Sequence, residues 1–242
     1  MKITVLTLFK EMYDEFLNTS IISRIISKGL VEVKIVDIRD YSLDKHRHVD
    51  DTPYGGMAGM LMKVDVLHSA LKANSTDNSY VLLTSPSTKP LTQEDVVRLS
   101  KLDDIVIVCG HYEGVDARFE EYIDEKVSIG DYVLTGGELP SMVLMDSIIR
   151  LIDEGISKDS LIEESYTNGL LEYPQYTRPP VYDNMSVPEV LMNGNHSKIK
   201  EYNLKMSLKQ TLLHRPDLLE SRQLSEQEDI LLKEIKKELE ID

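Results

Sequence analysis

The sequence predicts an α/β protein with a mostly parallel sheet, followed by a smaller helical domain. Three observations lead to this prediction. Segments with strand character alternate with helical segments through residue 153, the pattern of a parallel sheet covered by helices. The runs YVLLT (80–84) and IVIVCG (105–110) are continuously apolar, as expected of strands buried on both faces. From residue 186 onward the apolar periodicity is helical.

Periodicity and breaker residues predict the elements of the first third of the chain. Gly29 ends an amphipathic segment, and the segment rich in Gly, Pro and Asp at 50–59 has the composition of an ordered loop. The expected elements are strands at 3–8, 31–38 and 80–84, with helices at 10–28 and 64–73.

Strand and helix patterns also alternate in the next part of the chain. Thr92 and Asp95 have capping-box spacing, which predicts a helix that runs to about Leu102. A second apolar run that ends in glycines, YVLTGG, predicts a strand at 131–135. The other expected elements are a strand at 105–109, an acidic helical stretch at 116–122 and a helix at 140–153, with Met142, Val143, Met145, Ile149 and Ile152 on one side.

The pattern of apolar and polar residues changes after residue 153. Residues 153–168 are polar and weakly periodic, which is typical of a linker or a mobile loop. The last helix is expected to begin with a capping box at Ser225 and Glu228. These features predict an α/β domain at 1–160, a flexible linker at 161–169 and an all-helical domain at 170–242.

Composition and charge narrow the class of protein. The net charge of −15 argues against a nucleic-acid partner, but residues 113–164 alone carry 14 acidic against 4 basic side chains. Residues 193–222 carry 6 basic against 3 acidic side chains, so a local RNA-binding surface stays open. The single cysteine, Cys109, is expected to be a buried thiol. Neither a signal peptide nor an apolar membrane span is evident, and a cytoplasmic protein is the simplest expectation.

Small and polar residues follow three of the predicted strands. The runs that begin at Tyr80, Ile105 and Tyr132 end in TSP, CGHYEG and TGGELP. In parallel sheets, ligands bind outside the carboxyl ends of the strands, where glycines let the main chain approach them. The sequence lacks the fingerprints of phosphate loops, dinucleotide-binding folds, zinc proteases and serine hydrolases. It therefore predicts one pocket formed largely by main chain.

Five motifs together resemble a known family. VDDTPYGGMAGMLM, VCGHYEGVDAR, IGDYVLTGGELPSM, GLLEYPQYTRP and VPEVLMNGNH occur in the order and approximate spacing of the bacterial tRNA (guanine-N1-)-methyltransferases. The resemblance extends from Met1 to at least residues 215–220. It implies the SPOUT α/β fold with a deep C-terminal trefoil knot, a homodimer, and methylation by S-adenosylmethionine of N1 of the guanine just 3′ of the anticodon.

The resemblance also implies donor-binding loops at 84–86, 110–113 and 129–140. The adenine would be held mainly by main-chain groups of Ile129, Tyr132 and Leu134. The residues assigned to donor binding are Thr84, Ser85, Pro86, Gly110, Tyr112, Glu113, Ile129, Gly130, Asp131, Tyr132, Val133, Leu134, Gly136, Gly137 and Pro140.

The family's catalytic pair maps onto two positions of this chain. The family arginine corresponds to Arg150, and the aspartate that serves as general base corresponds to Glu164, with Glu163 as the fallback. The chain departs from the family here, because glutamate replaces aspartate and the sequence DEGIS replaces the usual PGVLG-like run. A second departure is the loop PYGGMAGM, with Met57 and Ala58 at usually smaller or more rigid positions.

The RNA partner is expected to meet basic residues of the helical domain. The candidates are Lys198, Lys200, Lys205, Lys209 and Arg215, and a solvated helix face explains the same charges equally well. The family depends on Mg²⁺, but no dedicated ligand cluster is evident in the sequence. Two alternatives stay open: a SPOUT methyltransferase acting at another RNA position, such as a 2′-hydroxyl, and a non-catalytic module that binds RNA or adenosyl ligands.

Overall fold

The computed structural model describes residues 1–152 and 164–240. The chain divides into two compact units, Met1–Ile156 and Ser157–Asp242. The first has a hydrophobic core on each face of its sheet, and the second has a separate small core. The predicted linker begins at 161–163, outside the described residues, so the domain boundaries stay a prediction.

Seven strands lie in the described part of the first unit. Five of them form one fully parallel sheet in the order β2-β1-β6-β5-β7, and β3 pairs antiparallel with β4. All five carboxyl ends of the parallel strands therefore face the same edge. The strands are β1 (Lys2–Thr7), β2 (Glu32–Asp37), β3 (Asp50–Asp51), β4 (Leu61–Met62), β5 (Tyr80–Thr84), β6 (Asp104–Cys109) and β7 (Glu125–Val127).

Helices cover both faces of this sheet. One core joins the sheet to α2, α4 and α5, and the other joins it to α3 and to a 3₁₀ turn at Ala117–Tyr122. The helices are α1 (Asp14–Asn18), α2 (Ser20–Ser27), α3 (Val64–Asn74), α4 (Gln93–Leu99) and α5 (Glu138–Ile149). Further 3₁₀ turns lie at Lys10–Tyr13 and Ile38–Tyr41.

Strand β6 shows why its sequence is apolar without interruption. Ile105, Ile107 and Cys109 point into one core, and Val106 and Val108 point into the other. All five side chains are fully buried. A strand in the middle of a parallel sheet has no solvent-facing side, so it needs no polar residue at alternate positions. The α/β class and the strands at 80–84 and 105–109 are confirmed.

The predicted strand at 131–135 is wrong. Residues 129–136 form bends and loops, and the strand at this edge of the sheet is β7, a few residues earlier. Tyr132, Val133 and Leu134 are 54%, 82% and 39% exposed. An apolar run indicates burial against something, but its periodicity cannot distinguish a protein core from a surface that a ligand covers.

Three predicted helices have different bounds. The helix expected at 10–28 is a 3₁₀ turn and two short helices, because Thr19 between α1 and α2 is extended and Ser20, the first residue of α2, has a positive φ of 55°. The stretch at 116–122 is 3₁₀ rather than α-helical. Helix α5 begins at Glu138, directly after Gly137, and Val143 is half exposed on it rather than on a buried side.

The described part of the second unit is mainly helical. Its helices are α6 (Glu189–Met192), α7 (His196–His214), α8 (Pro216–Glu220) and α9 (Glu226–Glu238). The strands β8 (Val181–Tyr182) and β9 (Met185–Ser186) form an antiparallel hairpin. The hairpin departs from the all-helical expectation. Leu170, Leu208, Leu231 and Ile235 form the core. The capping boxes predicted at Thr92 and Ser225 are both present.

Candidate functional site

A cavity of about 390 Å³ opens at the carboxyl ends of β5, β6 and β7. This volume lies in the range of small-molecule sites. The sequence predicted a pocket at this edge of the sheet, and the third strand that contributes to it is β7 rather than a strand at 131–135. Every wall of the cavity belongs to the first unit.

The adjacent ends of β5 and β6 form the floor of the cavity. Thr84 pairs with Cys109 in the sheet, and its hydroxyl donates to the Val108 carbonyl at 3.3 Å. The same hydroxyl accepts the backbone N–H of Gly110 at 3.3 Å. A Cβ at Gly110 would lie 3.1 Å from the carbonyl oxygen of Thr84, closer than most side-chain carbons approach an oxygen. The chain therefore turns out of β6 as close to β5 as glycine allows.

Gly136 and Gly137 bring the loop before α5 against this floor. The backbone N–H of Gly137 donates to the Gly110 carbonyl at 2.7 Å, and a short antiparallel bridge joins His111 to Gly136. A Cβ at Gly137 would overlap the Thr84 hydroxyl and lie 2.8 Å from the Cys109 Cα atom. Close packing thus explains why both positions hold glycine, because neither has a positive φ.

The loop from Ile129 to Thr135 forms an apolar wall. The Ser128 hydroxyl donates to the Gly130 carbonyl at 3.1 Å, and the Tyr132 N–H donates to the same carbonyl at 2.9 Å. Gly130 has a φ of +152°, and a Cβ there would overlap the Tyr132 ring. These bonds fold the loop back on itself and leave apolar side chains facing the cavity, although they lack cover from protein.

Glu113 also lines the cavity. Its backbone N–H donates to the Met60 carbonyl at 3.0 Å, and its side chain lies against Gly59. Gly59 has a φ of +96°, and a Cβ there would overlap Glu113 Cγ. The glycine-rich segment at 50–59 is therefore held against the cavity by Gly59, a role that the sequence prediction of a loop did not specify.

The cavity gathers most of the residues that the resemblance assigned to donor binding. Fourteen of the fifteen line it, and Asp131 is exposed and does not. Sequence reasoning did not select His111, Gly114, Ser128 and Thr135, which also line the cavity. His111 and Thr135 lie inside the donor-binding loops predicted at 110–113 and 129–140, although neither was assigned to donor binding as an individual residue.

The two catalytic candidates lie in different units, Arg150 in the first and Glu164 in the second. Arg150 is the C-terminal capping residue of α5 and is half-buried. Glu164 is half-buried at the start of the second described range, and its carbonyl accepts the Thr167 N–H at 3.2 Å. Glu163 lies outside the described residues. The assignment of the general base stays a prediction.

The RNA-binding candidates differ in their surroundings. Lys205 Nζ donates to Glu238 at 2.8 Å and to Glu234 at 3.2 Å, and these carboxylates raise its pKa. Arg215 forms two bonds to Asp217, at 2.7 and 2.9 Å, and lies over the Tyr166 ring at 5.7 Å. Lys198 and Lys200 are exposed near the start of α7, and Lys209 is half-buried. Lys198 and Lys200 are thus the better placed for contact with a phosphate.

Cys109 is a buried thiol, as predicted. Its sulfur lies 3.3 Å from the hydroxyl of Tyr13, which is also 2.6 Å from the Ser141 hydroxyl. Burial raises the pKa of Cys109 to about 12. A nucleophilic cysteine needs a lowered pKa and solvent access, and this residue has neither.

Residues 1–152 and 164–240 contain neither a cluster of metal-binding side chains nor a helix suited to a membrane. No three His, Cys, Asp or Glu side chains there come together as a metal site would require. Among the helices that the structure describes, none is long and apolar enough to cross a membrane.

Comparison with known proteins gives consistent matches. The family model described as tRNA (Guanine-1)-methyltransferase TrmD matches residues 1–221. A relative from Fusobacterium nucleatum is 52% identical over 239 residues, which cover 98% of this chain and 99% of the relative. One from Syntrophomonas wolfei is 49% identical, with 97% of each chain covered, and one from Dictyoglomus turgidum is 46% identical, with 99% and 98% covered. All three are named tRNA (guanine-N(1)-)-methyltransferase.

Proposed function

The chain belongs to the tRNA (guanine-1)-methyltransferase family, and on that premise we propose that it methylates N1 of guanine 37 in tRNA with S-adenosylmethionine. Guanine 37 is the nucleotide just 3′ of the anticodon. The observation that carries the donor half of this proposal is the cavity at the carboxyl ends of β5, β6 and β7. It combines an apolar wall that lacks protein cover with main-chain groups held close by glycines.

The chemistry of the cavity suits S-adenosylmethionine. Adenine presents a flat apolar face and an edge of hydrogen-bonding atoms, which match the exposed side chains of the 132–134 loop and main-chain groups of Ile129, Tyr132 and Leu134. The volume of about 390 Å³ is adequate for most of such a molecule. Bound at this site, the donor supplies an electrophilic methyl group on a sulfonium.

The acceptor requires a general base. Guanine N1 carries a proton at neutral pH, so its electron pair is not available until that proton is removed. In the proposed reaction the Glu164 carboxylate takes the N1 proton, N1 forms a bond to the methyl carbon, and the bond from that carbon to sulfur breaks. Arg150 stabilises the negative charge that develops on guanine O6. S-adenosylhomocysteine and N1-methylguanine are the products.

The proposal also covers the knot, the oligomeric state and the tRNA contacts of this chain. We assign to this chain the trefoil knot and the homodimer of its family, acting on tRNA in the cytoplasm. Lys198 and Lys200 are the proposed first contacts of the second unit with tRNA phosphates, since both are exposed. Lys205 and Arg215 would contribute after exchanging carboxylate partners for phosphate, which costs little because surface ion pairs contribute only about 0–1 kcal/mol. Lys209, which is half-buried, is the remaining candidate.

The role of Mg²⁺ stays open. Within the described ranges, His, Cys, Asp and Glu side chains do not gather in groups of three, so no protein ligands are assigned to the ion.

The test of this function is methyl transfer from radiolabelled S-adenosylmethionine to two tRNA transcripts that differ only in carrying G or A at position 37. We expect label in the G37 transcript alone, mapped to N1-methylguanine after nuclease digestion. Equal labelling of both transcripts, or label at another nucleotide or at a ribose, would refute the assignment. Single-turnover rates of Glu164→Gln then test the base, and a near-normal rate would move that role elsewhere.

A further inference from the structure

Glu138 is a buried carboxylate that none of the proposed catalytic steps uses. It is the first residue of α5, immediately after Gly136 and Gly137, and it is 3% exposed. Its Oε1 atom accepts a hydrogen bond from the hydroxyl of Thr7, the last residue of β1, at 2.8 Å. Burying a charge is costly unless partners compensate for it, and one neutral hydroxyl compensates only in part.

The second carboxylate oxygen faces His111. Glu138 Oε2 lies 3.9 Å from His111 Nδ1, and that nitrogen is buried without a hydrogen-bond partner among the described residues. Gly136 completes the cluster, because a Cβ there would overlap both Glu138 Oε2 and His111 Nδ1. The imidazole ring also contacts Phe9, whose ring centroid is 5.1 Å away. A closing movement of less than an ångström would bring the carboxylate and the imidazole into hydrogen-bond distance.

This cluster adjoins the proposed donor cavity. His111 and Gly136 line that cavity, but Glu138 does not. Glu138 instead lines a smaller neighbouring space of about 210 Å³, together with Phe9 and Leu139, and His111 and Gly136 line both spaces. The carboxylate can therefore affect donor binding only through the residues in front of it, namely the His111 ring and the backbone of the Gly136 loop.

We propose that Glu138 is a positioning residue, whose carboxylate holds His111 and the Gly136 backbone in the arrangement that binds the methyl donor. The inference rests on the proposed function, since it takes the cavity to be the donor site. Two physical effects support a charged acceptor at this place. A hydrogen bond to an ionised group is roughly twice as strong as a neutral one. The first turn of the 12-residue helix α5 also favours negative charge.

The experiment measures binding of S-adenosylmethionine by calorimetry to the full chain and to Glu138→Gln. Glutamine keeps the shape and can still accept from Thr7, but it removes the charge that faces His111. We expect donor affinity to fall about tenfold, with kcat at saturating donor and tRNA within about twofold of wild type. His111→Asn should cause a similar loss, and the double variant should be no weaker than either single variant, because both act through one contact.

A matched control separates positioning from general destabilisation. Ser141→Ala also removes a buried polar group from α5, where Ser141 bonds Tyr13 and the Glu138 carbonyl, but Ser141 is absent from both cavity linings. We expect it to lower the melting temperature and to keep donor affinity. An equal loss of affinity in this control would overturn the inference, as would unchanged affinity in Glu138→Gln or independent losses in the double variant.

Two further outcomes separate a failure of this inference from a failure of the proposed function. If Glu138→Gln does not fold, His111→Asn decides the question, and unchanged donor affinity in it would overturn the inference. If the wild-type protein takes up no S-adenosylmethionine, the proposed function itself fails. Wild-type binding together with an unaffected Glu138→Gln variant would refute the positioning role alone.

Discussion

The backbone N–H of Gly137 donates to the carbonyl oxygen of Gly110 at 2.7 Å. The two residues are 27 positions apart in the sequence. The bond joins the loop that follows β6 to the loop that precedes α5. It leaves no room for a side chain, since the ideal Cβ position of Gly137 also lies 2.8 Å from the Gly110 nitrogen. The shape of the cavity floor thus depends on main-chain packing, which a side-chain substitution can disturb without removing any functional group.

Replacing Gly137 with alanine should therefore cost both stability and donor binding. The added methyl group would overlap the Thr84 hydroxyl, and backbone shifts of this kind typically cost about 1–3 kcal/mol. We expect donor affinity to fall by at least about tenfold, measured by calorimetry on protein shown to be folded by circular dichroism.

Gly194→Ala is the matched control for that variant. Gly194 has a φ of +72° and open space around its ideal Cβ, and it lies in the second unit. The substitution should cost about 1 kcal/mol through backbone strain alone and leave donor affinity unchanged. Wild-type affinity in Gly137→Ala would show that the floor can relax and would contradict the packing argument.

The exposed loop residue Val133 gives a second prediction. Val133→Ser should leave the free energy of unfolding within about 0.5 kcal/mol of wild type, because the side chain is 82% exposed without ligand. Donor affinity should fall about threefold to tenfold, in proportion to the apolar area that the donor covers. Val181→Ser, at an exposed position of the second unit, should change neither quantity. A large loss of stability in Val133→Ser would indicate that this run is buried as a strand would be.

The same loop marks the limit of what the sequence could predict. Strand β6 was predictable because its residues alternate between two cores, so burial on both faces appears directly as an unbroken apolar run. The run at 132–134 has a similar composition for a different reason, since its side chains face a cavity rather than a core. Strand β7 was missed because only Val127 of its three residues is buried, and Glu125 and Lys126 break the apolar pattern. The pocket edge was predictable from strand ends, whereas Glu138 required knowledge of which loops meet.

Cys109 should be unreactive in the folded protein. Its pKa is raised to about 12 by burial, so at pH 8 almost none of it is the nucleophilic thiolate, and that fraction becomes large only near pH 12. Iodoacetamide should label the native protein very slowly and the urea-unfolded protein stoichiometrically, as read by mass spectrometry. Complete labelling of the native form within minutes would contradict the buried position of the thiol.

Glu228 should make the stability of the second unit dependent on acid pH. Burial opposes its ionisation, but hydrogen bonds from the Ser225 N–H at 2.8 Å and from Arg222 at 2.6 Å outweigh burial and lower its pKa. The unfolded chain takes up this proton at about pH 4.3. The stabilisation is therefore present above that pH and is lost as pH falls through the lower pKa of the folded state.

Urea unfolding of wild type and Glu228→Gln between pH 7 and pH 3 measures this effect. At pH 7 the variant should be about 1–3 kcal/mol less stable, because it weakens the partly buried charge-assisted pair with Arg222. The difference should narrow below about pH 4. Glu226→Gln, at an exposed position in the first turn of α9, should run parallel to wild type over the whole range. A constant difference between Glu228→Gln and wild type would contradict the linkage.

Mixing two inactive variants tests whether the proposed homodimer combines residues of opposite subunits. Arg150→Ala and Glu164→Ala should each be nearly inactive alone, because the first lacks the group proposed to stabilise charge on guanine O6 and the second lacks the proposed general base. If one site takes Arg150 from one subunit and Glu164 from its partner, a mixed dimer contains one intact site and one doubly defective site. Random exchange of equal amounts should then restore about a quarter of wild-type activity per subunit. Both sites of a mixed dimer would be defective if the two residues act within a single chain, so a mixture as inactive as its components, with exchange verified by mass spectrometry, would exclude the shared site.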